Sequence, residues 1–154
     1  MMKEIAVYVA GKLSAEEPAD EEWNVKRLKW FTEQICLDKD RYPGLKLSAY
    51  PTAYTGDWKH KCGFRPIDYY ESDNIMLKRC DVTAVQPEGR PGGYETSIGT
   101  KAEIELTHKI GNPVRIGLDS LREWLQEVSD AVCAMSGVEE PSDGRYSRMD
   151  DGCV

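Results

Sequence analysis

The chain has 154 residues, 40% of them hydrophobic and 31% charged, which is typical of one globular domain with a substantial core. Its net charge of −7 argues against a broad surface for a nucleic-acid polymer, and no apolar run approaches membrane-spanning length. The start is too short and strand-like for a signal peptide, and five cysteines without a CxxC pair fit reduced thiols, so we expect a cytoplasmic protein.

The first half of the chain alternates between strand and helix patterns. The run Ile5–Ala10 is apolar, rich in β-branched residues and ends at Gly11, which predicts a strand covered on both faces, as in a parallel sheet. Apolar positions then recur every three or four residues over Trp23–Ile35, which predicts an amphipathic helix. Leu45–Tyr50 alternates as a strand does.

The next segment, Pro51–Phe64, has no regular pattern, and we expect it to be irregular. Its rings either pack on the edge of the core or stack on a planar ligand, and the pattern leaves both readings open. The segment carries Tyr54, Trp58, His60 and Phe64. His60 and Cys62 lack a further ligand pair at zinc spacing, so we predict no metal site.

The second half continues the alternation. Pro66 fits the first turn of a helix that runs to about Arg79, and Cys80–Val85 reads as the third strand. The loop Gln86–Thr96, rich in Gly and Pro, is long for a compact connection and predicts a lid or a binding loop.

A helix is predicted from Gly99 to the stop signal at Gly111, followed by a short strand over Val114–Ile116. The pattern Ser120–Glu123 is that of a capping box and opens a last helix, which ends before Gly137.

This order predicts an α/β fold with a parallel sheet of four to five strands and helices on both faces. We expect one domain over residues 1–137 and a polar tail over residues 138–154. In such folds the ligand binds beyond the carboxyl ends of the strands.

Three acids are candidates for chemistry. Glu103 follows the third strand near a helix start, where a carboxylate is either a functional group or an ordinary helix-stabilising acid. Asp73 shares a helix face with aromatic side chains, where burial would raise its pKa. Asp81 opens a strand, and a cap or a pairing with lysine is the favoured reading there.

Four motifs in order give this chain a resemblance to a known family. They are Tyr8-Val9-Ala10-Gly11, Asp73-xxx-Leu77-xx-Cys80-Asp81-Val82, Ser97-x-Gly99-Thr100-xx-Glu103-Ile104 and Gly111-x-Pro113-Val114. Together they resemble the nucleoside 2-deoxyribosyltransferase superfamily, and most closely its 2′-deoxynucleoside 5′-monophosphate N-glycosidases. The resemblance covers most of residues 4–116 and implies a flavodoxin-like (Rossmann-like) three-layer sandwich.

The resemblance also implies roles for single residues. Glu103 matches the nucleophile that attacks the anomeric carbon, and Asp73 matches the acid that helps protonate the departing base. Tyr8 matches the tyrosine that orients the nucleophile, and Gly11 matches the glycine where the backbone approaches the sugar or phosphate.

Ser97 stands where transferases acting on free nucleosides usually carry aspartate and where the monophosphate hydrolases carry serine. A serine adds a hydrogen-bond donor without a repelling charge, and the amides of Gly99 and Thr100 at the helix start suit the same phosphate. Trp58 is the candidate base-contacting ring. Lys101, close to Glu103, would either neutralise phosphate or damp the nucleophile. His108 reads as a helix-surface residue.

We therefore expect an N-glycosidase acting on a nucleoside 5′-monophosphate, with deoxyribosyl transfer as a variant, through a covalent glycosyl-Glu intermediate. The alternatives are a non-catalytic nucleotide-binding module and a hydrolase of NAD or ADP-ribose-type nucleotides. The expected partner is a small nucleotide or nucleoside, with no cofactor, and the resemblance implies a homodimer or higher homo-oligomer.

Overall fold

The computed structural model describes residues 2–137, except for the side chains of residues 56–60 and 66. In this range the chain forms strands β1 to β4 and helices α1 to α5, with a 3-10 turn at Tyr94–Thr96. The strands are Lys3–Gly11, Leu45–Tyr50, Val82–Gln86 and Val114–Ile116, and the helices are Pro18–Leu37, Thr52–Lys61, Pro66–Arg79, Ile98–Lys109 and Leu118–Ser136. The predicted tail over residues 138–154 lies outside the described residues.

The four strands form one parallel sheet in the order β2-β1-β3-β4. The order places β1 and β3 in the centre, where both strands have neighbours on each side, and their near-continuous apolar sequences follow from this position. The predicted α/β class is confirmed, and the arrangement is that of a flavodoxin-like three-layer fold.

Alternate residues of β1 face the two helix layers. Ile5, Val7 and Val9 pack with residues of α1 and α5 in one core cluster. Tyr8 and Ala10 point to the other side of the sheet, where their core cluster includes residues of α3 and α4. The second layer therefore surrounds the ring of Tyr8, and a site built on Tyr8 has to be completed from α3 and α4.

Helix α2 was not expected, and the prediction of an irregular segment there was wrong. The segment lacks a helical repeat of apolar residues and carries Gly56 in its interior, so neither pattern nor propensity marks it as a helix. Its first turn is fixed by contacts instead: the Thr52 hydroxyl donates to the carbonyl of Val9 at 2.8 Å, and the Tyr54 amide donates to the carbonyl of Pro51 at 2.9 Å.

Two of the rings predicted for this segment pack within the chain. The Tyr54 hydroxyl donates to Glu33 at 2.6 Å, and Phe64 meets Tyr69 edge-on with ring centroids 6.0 Å apart. The side chains of Trp58 and His60 lie outside the described part of the structure.

Helix α5 begins earlier than the capping-box pattern predicts. Its N-cap is Gly117, which has no side chain to cap with and adopts φ 87°, so the chain turns directly from β4 into the helix. Ser120 therefore lies inside the first turn, and the prediction that it caps the helix was wrong. In the described part of the chain, no helix has the length and apolar character needed to cross a bilayer.

Candidate active site

Tyr8, Glu103 and Asp73 lie together on the α3–α4 side of the sheet. Tyr8, in the middle of β1, is completely buried. Burial raises the pKa of its hydroxyl far above the usual value, and the nearby negative charges of Glu103 and Asp73 raise it further. The charges of both predicted acids act on Tyr8, and Tyr50, which stacks on the Tyr8 ring, donates a hydrogen bond to Asp73. Both acids therefore lie near the ring that was predicted to orient the nucleophile.

The pKa of the Glu103 carboxyl lies near neutral pH. Burial raises its pKa to about 7, the hydrogen-bonding influence of Tyr8 lowers it, and the charge of Asp73 raises it. A carboxyl with this pKa is about half ionised at pH 7 and exchanges protons in the range where a nucleophile or general base works.

The hydroxyl of Tyr8 and Oε2 of Glu103 are buried, and neither makes a hydrogen bond of good geometry within the described residues. The two groups are close enough to influence each other's ionisation. Buried polar atoms without partners are uncommon and cost stability, so the pair retains hydrogen-bonding capacity that a ligand can use.

Tyr50 is part of this cluster, and sequence reasoning missed it as a site residue. It pairs with Tyr8 in the sheet register and stacks on its ring, with centroids 5.7 Å apart and 17° between the planes. Its hydroxyl donates to Asp73 Oδ1 at 3.3 Å. The signal in the sequence was its place as the last residue of a parallel strand, at the edge where ligands bind.

The first turn of α4 holds the three residues predicted to contact a phosphate. Helix α4 begins at Ile98, one residue before the predicted start at Gly99, and Ser97 is its N-cap. The Ser97 hydroxyl accepts from the amide of Thr100 at 3.2 Å and from the Thr100 hydroxyl at 3.0 Å. Thr100 is 1% exposed. The amides of Ile98 and Gly99 have no partner within the described residues, so they are the open donors of this turn.

Gly11 is the last residue of β1, and its lack of a side chain is explained by packing. A Cβ atom there would lie 2.8 Å from Cδ1 of Leu28 on α1 and 3.2 Å from Cβ of Gln86 on β3. A larger residue there would require the Leu28 side chain and Cβ of Gln86 to shift. An approach of the ligand to the Gly11 backbone remains a prediction, as does base contact by Trp58, whose side chain lies outside the described residues.

Asp81 has a structural role at the opposite end of the strands. Its Oδ2 accepts from the amide of Ala6 at 2.7 Å, and its own amide donates to the carbonyl of Ala6 at 2.8 Å. Asp81 therefore has a structural pairing role, as expected, but its partner is the β1 backbone instead of a lysine.

The loop between β3 and α4 is fastened to helix α1. Asn24 is 2% exposed, its Oδ1 accepts from the amide of Arg90 at 2.8 Å, and its Nδ2 donates to the carbonyl of the same residue at 3.0 Å. Arg27 forms an ion pair with Glu88 at 3.0 Å. These contacts hold the loop in place against α1, so they favour a binding loop over a mobile lid.

Two surface grooves, of about 430 and 290 Å³, lie elsewhere on the molecule. The larger runs along the outer face of α4 beside β4 and is lined by Lys101 and His108, among other residues. Neither groove is lined by Tyr8, Asp73 or Glu103. Within the described residues, Tyr50, Asp73 and Glu103 of the cluster are each partly exposed, whereas Tyr8 is buried.

Among the described residues, no group of three or more His, Cys, Asp or Glu side chains is arranged to hold a metal ion. Comparison with protein-family models, with curated proteins and with solved structures gives no match for this chain.

Proposed function

We propose that this chain cleaves the N-glycosidic bond of a nucleoside 5′-monophosphate through a covalent glycosyl-Glu103 intermediate. The observation that carries the proposal is the placement of Asp73 on α3 and Glu103 on α4 near the buried ring of Tyr8, with Asp73 hydrogen-bonded to the Tyr50 that stacks on this ring. Retaining glycoside cleavage needs such a pair, one carboxyl as nucleophile and the other as acid.

In the proposed reaction, an ionised oxygen of Glu103 attacks the anomeric carbon as the bond to the base nitrogen breaks. The base leaves with that electron pair, and Asp73 delivers a proton to it. Water then attacks the anomeric carbon and gives a proton to the Asp73 carboxylate while the bond to the Glu103 oxygen breaks, which releases the sugar phosphate and regenerates both the Glu103 carboxylate and the Asp73 acid. A second base in place of water would give deoxyribosyl transfer.

Tyr8 and Tyr50 act as positioning residues in this scheme. Tyr8 restricts the Glu103 carboxyl by burial and contact, and Tyr50 holds Asp73 through its hydrogen bond. Proton donation from a well-placed acid contributes about 10²–10⁴-fold to such reactions, so the fixed position of Asp73 matters for rate.

The first turn of α4 supports a phosphate-bearing substrate. The N-terminus of a helix favours anions, and the amides of Ile98 and Gly99 are open there. Ser97 adds a hydroxyl without adding negative charge.

A homo-oligomer and a cytoplasmic location belong to the same proposal. Ile98 on α4 is 86% exposed, and Tyr70 and Ile67 on α3 are 54% and 53% exposed. Exposed apolar side chains on adjacent helices support contact with a second copy of the chain.

A non-catalytic nucleotide-binding module is the second candidate. One observation favours it: Tyr8 Oη and Glu103 Oε2 are enclosed, and neither surface groove reaches them. A hydrolase of NAD or ADP-ribose-type nucleotides would use the same carboxyl pair on a different leaving group.

Release of free base from a panel of nucleosides, 5′-monophosphates and NAD separates these readings. We expect release from a 5′-monophosphate, its loss in Glu103→Gln, and its retention in Glu105→Gln, which changes an exposed acid of the same helix. Binding of monophosphate without release, unaffected by Glu103→Gln, would favour the binding module. Release from NAD alone would favour the third reading.

A further inference from the structure

Gln86, the last residue of β3, is buried with an unused hydrogen-bond donor. It is 3% exposed, and its Nε2 makes no hydrogen bond within the described residues. Val82 and Ala84 on the same strand pack with α1 and α5, so Gln86, two residues further on, points to that side of the sheet. This is the side opposite Tyr8, and Gln86 lines the smaller groove, of about 290 Å³. Buried amides without a partner are uncommon, so the donor of Gln86 is available to a ligand.

The start of α5 lines the same groove. Residues 117–120 contribute to its surface, and the N-cap Gly117 has no side chain that could cap the helix. The first helical hydrogen bond runs from the Leu121 amide to the carbonyl of Gly117 at 3.2 Å, so the amides of residues 118–120 have no acceptor in the described part of the chain. Open amides and the positive end of the helix dipole favour a carboxylate at this place.

Arg27 on α1 adds a third donor to the groove. Its guanidinium lies over the ring of Trp30, 4.0 Å from the ring centroid, and one terminal nitrogen donates to Glu88 at 3.0 Å. Its Nε is buried and makes no hydrogen bond to any described residue. Since a guanidinium has five donors, the pairing with Glu88 leaves Nε for a further acceptor. Gln86, Arg27 and the start of α5 therefore all offer donors to one ligand.

The groove also has acidic and apolar surface, which restricts the kind of ligand. Glu88 and Asp119 line it from exposed positions. Two carboxylates repel a ligand that carries only negative charge, whereas they attract an ammonium group. Trp30 and Ile116 line the groove as well and are 40% and 41% exposed. A ligand that matches these features has a carboxylate, an ammonium group and an apolar body.

We propose that this groove binds a free α-amino acid with an apolar side chain. The carboxylate of the amino acid accepts from Gln86, from Arg27 and from the first amides of α5. Its ammonium group pairs with Glu88 or Asp119, and its side chain packs on the apolar wall. The volume of about 290 Å³ suits a ligand of this size. The site lies on the face of the sheet opposite the candidate active site and does not depend on the proposed glycosidase activity.

The first test is an NMR titration of the ¹⁵N-labelled chain with L-leucine at neutral pH. Two matched compounds are 4-methylpentanoate, which lacks the ammonium group, and 3-methylbutylamine, which lacks the carboxylate. We expect leucine to shift the amide signals of residues 117–120 and the side-chain amide of Gln86, and each matched compound to bind at least about tenfold more weakly. Absence of saturable shifts with leucine would overturn the proposal. Equal affinity for either matched compound, or shifts at Ile98 and Gly99 instead, would do so too.

The second test separates ligand binding from a structural role of the Gln86 amide. Gln86→Met keeps the length of the side chain and removes the amide, so it should weaken leucine binding about tenfold without lowering the free energy of unfolding in urea. The control is Asp130→Asn, which changes an exposed acid of α5 outside the groove and should bind leucine as wild type does. Wild-type leucine affinity in Gln86→Met would overturn the proposal. A loss of stability in Gln86→Met would show that the amide has a structural partner and would overturn it as well.

Discussion

The hydroxyl of Tyr50 donates a hydrogen bond of 3.3 Å to Asp73 Oδ1 and so joins the end of β2 to the middle of α3. The same Tyr50 ring stacks on Tyr8, which lies beside Glu103. One side chain therefore connects the proposed acid with the residue that restricts the proposed nucleophile.

Tyr50→Phe tests this connection, because it keeps the ring stacking and removes only the hydroxyl. Loss of one hydrogen bond that positions Asp73 should lower kcat about three- to tenfold, with a smaller effect on KM. The measurement is steady-state base release, with Tyr54→Phe as control, since the Tyr54 hydroxyl donates to Glu33 on α1 and to none of the three proposed site residues. Equal kcat values for wild type and Tyr50→Phe would remove Tyr50 from the mechanism.

The rate should depend on the ionisation of Glu103. Because only the carboxylate attacks and its pKa is about 7, log(kcat/KM) should rise with pH at a slope near one below pH 7, and a falling limb at higher pH would report loss of the proton that Asp73 delivers. A pH–rate profile in buffers of constant ionic strength measures this. A profile that is already flat at pH 5.5 would show that Glu103 ionises as an exposed acid does.

The stability of the folded chain should fall as the pH rises, whereas the reaction rate should increase. The pKa of Glu103 is higher in the folded chain, at about 7, than its ordinary value of 4.5, so the unfolded chain loses the proton first. The free energy of unfolding should therefore fall as the pH rises from about 4.5 to about 7, by up to about 3 kcal/mol.

Glu103→Gln should remove the loss of stability that the buried Glu103 charge causes at high pH. We expect the variant to be more stable than wild type by about 1–3 kcal/mol at pH 8 and to show no such advantage at pH 4.5, measured by urea unfolding. The control is Glu105→Gln on the exposed face of α4. An advantage of equal size at both pH values would mean that the burial of the Glu103 charge is not its cause.

Helix α4 is attached to the sheet directly behind Glu103. The hydroxyls of Thr83 on β3 and Thr107 on α4 lie 2.8 Å apart, and Thr107 also donates to the carbonyl of Glu103 at 2.7 Å. Thr107→Val should leave the buried Thr83 hydroxyl without this partner and lower the free energy of unfolding by about 1–3 kcal/mol. Ser136→Ala, at the exposed end of α5, is the control for urea unfolding; equal losses in the two variants would refute the role of the buried pair.

Much of the fold could be predicted from the sequence because its patterns are local. The apolar run of β1 and the alternation of strands and helices specify a parallel sheet with two helix layers, as found. Helix α2 could not be predicted, because contacts such as that of Thr52 with Val9 form it and no repeat marks it.

The site was predictable only in part. Spaced motifs identified Glu103, Asp73 and Tyr8, but no sequence pattern reports the stacking of Tyr50 on Tyr8. The burial of Lys12 is also a tertiary effect, since it depends on a loop more than seventy residues away in the chain closing over that side chain. Contacts that arise only when distant parts of the chain fold together have no local signature in the sequence.

The central claim is that Glu103 forms the bond to the sugar. Rapid acid quenching during turnover of a 5′-monophosphate, followed by peptide mass analysis, measures it directly. We predict a sugar-phosphate ester on the peptide that carries Glu103, and no ester in Glu103→Gln. Base release from the wild type with the ester on another residue, or undiminished release from Glu103→Gln, would contradict the account.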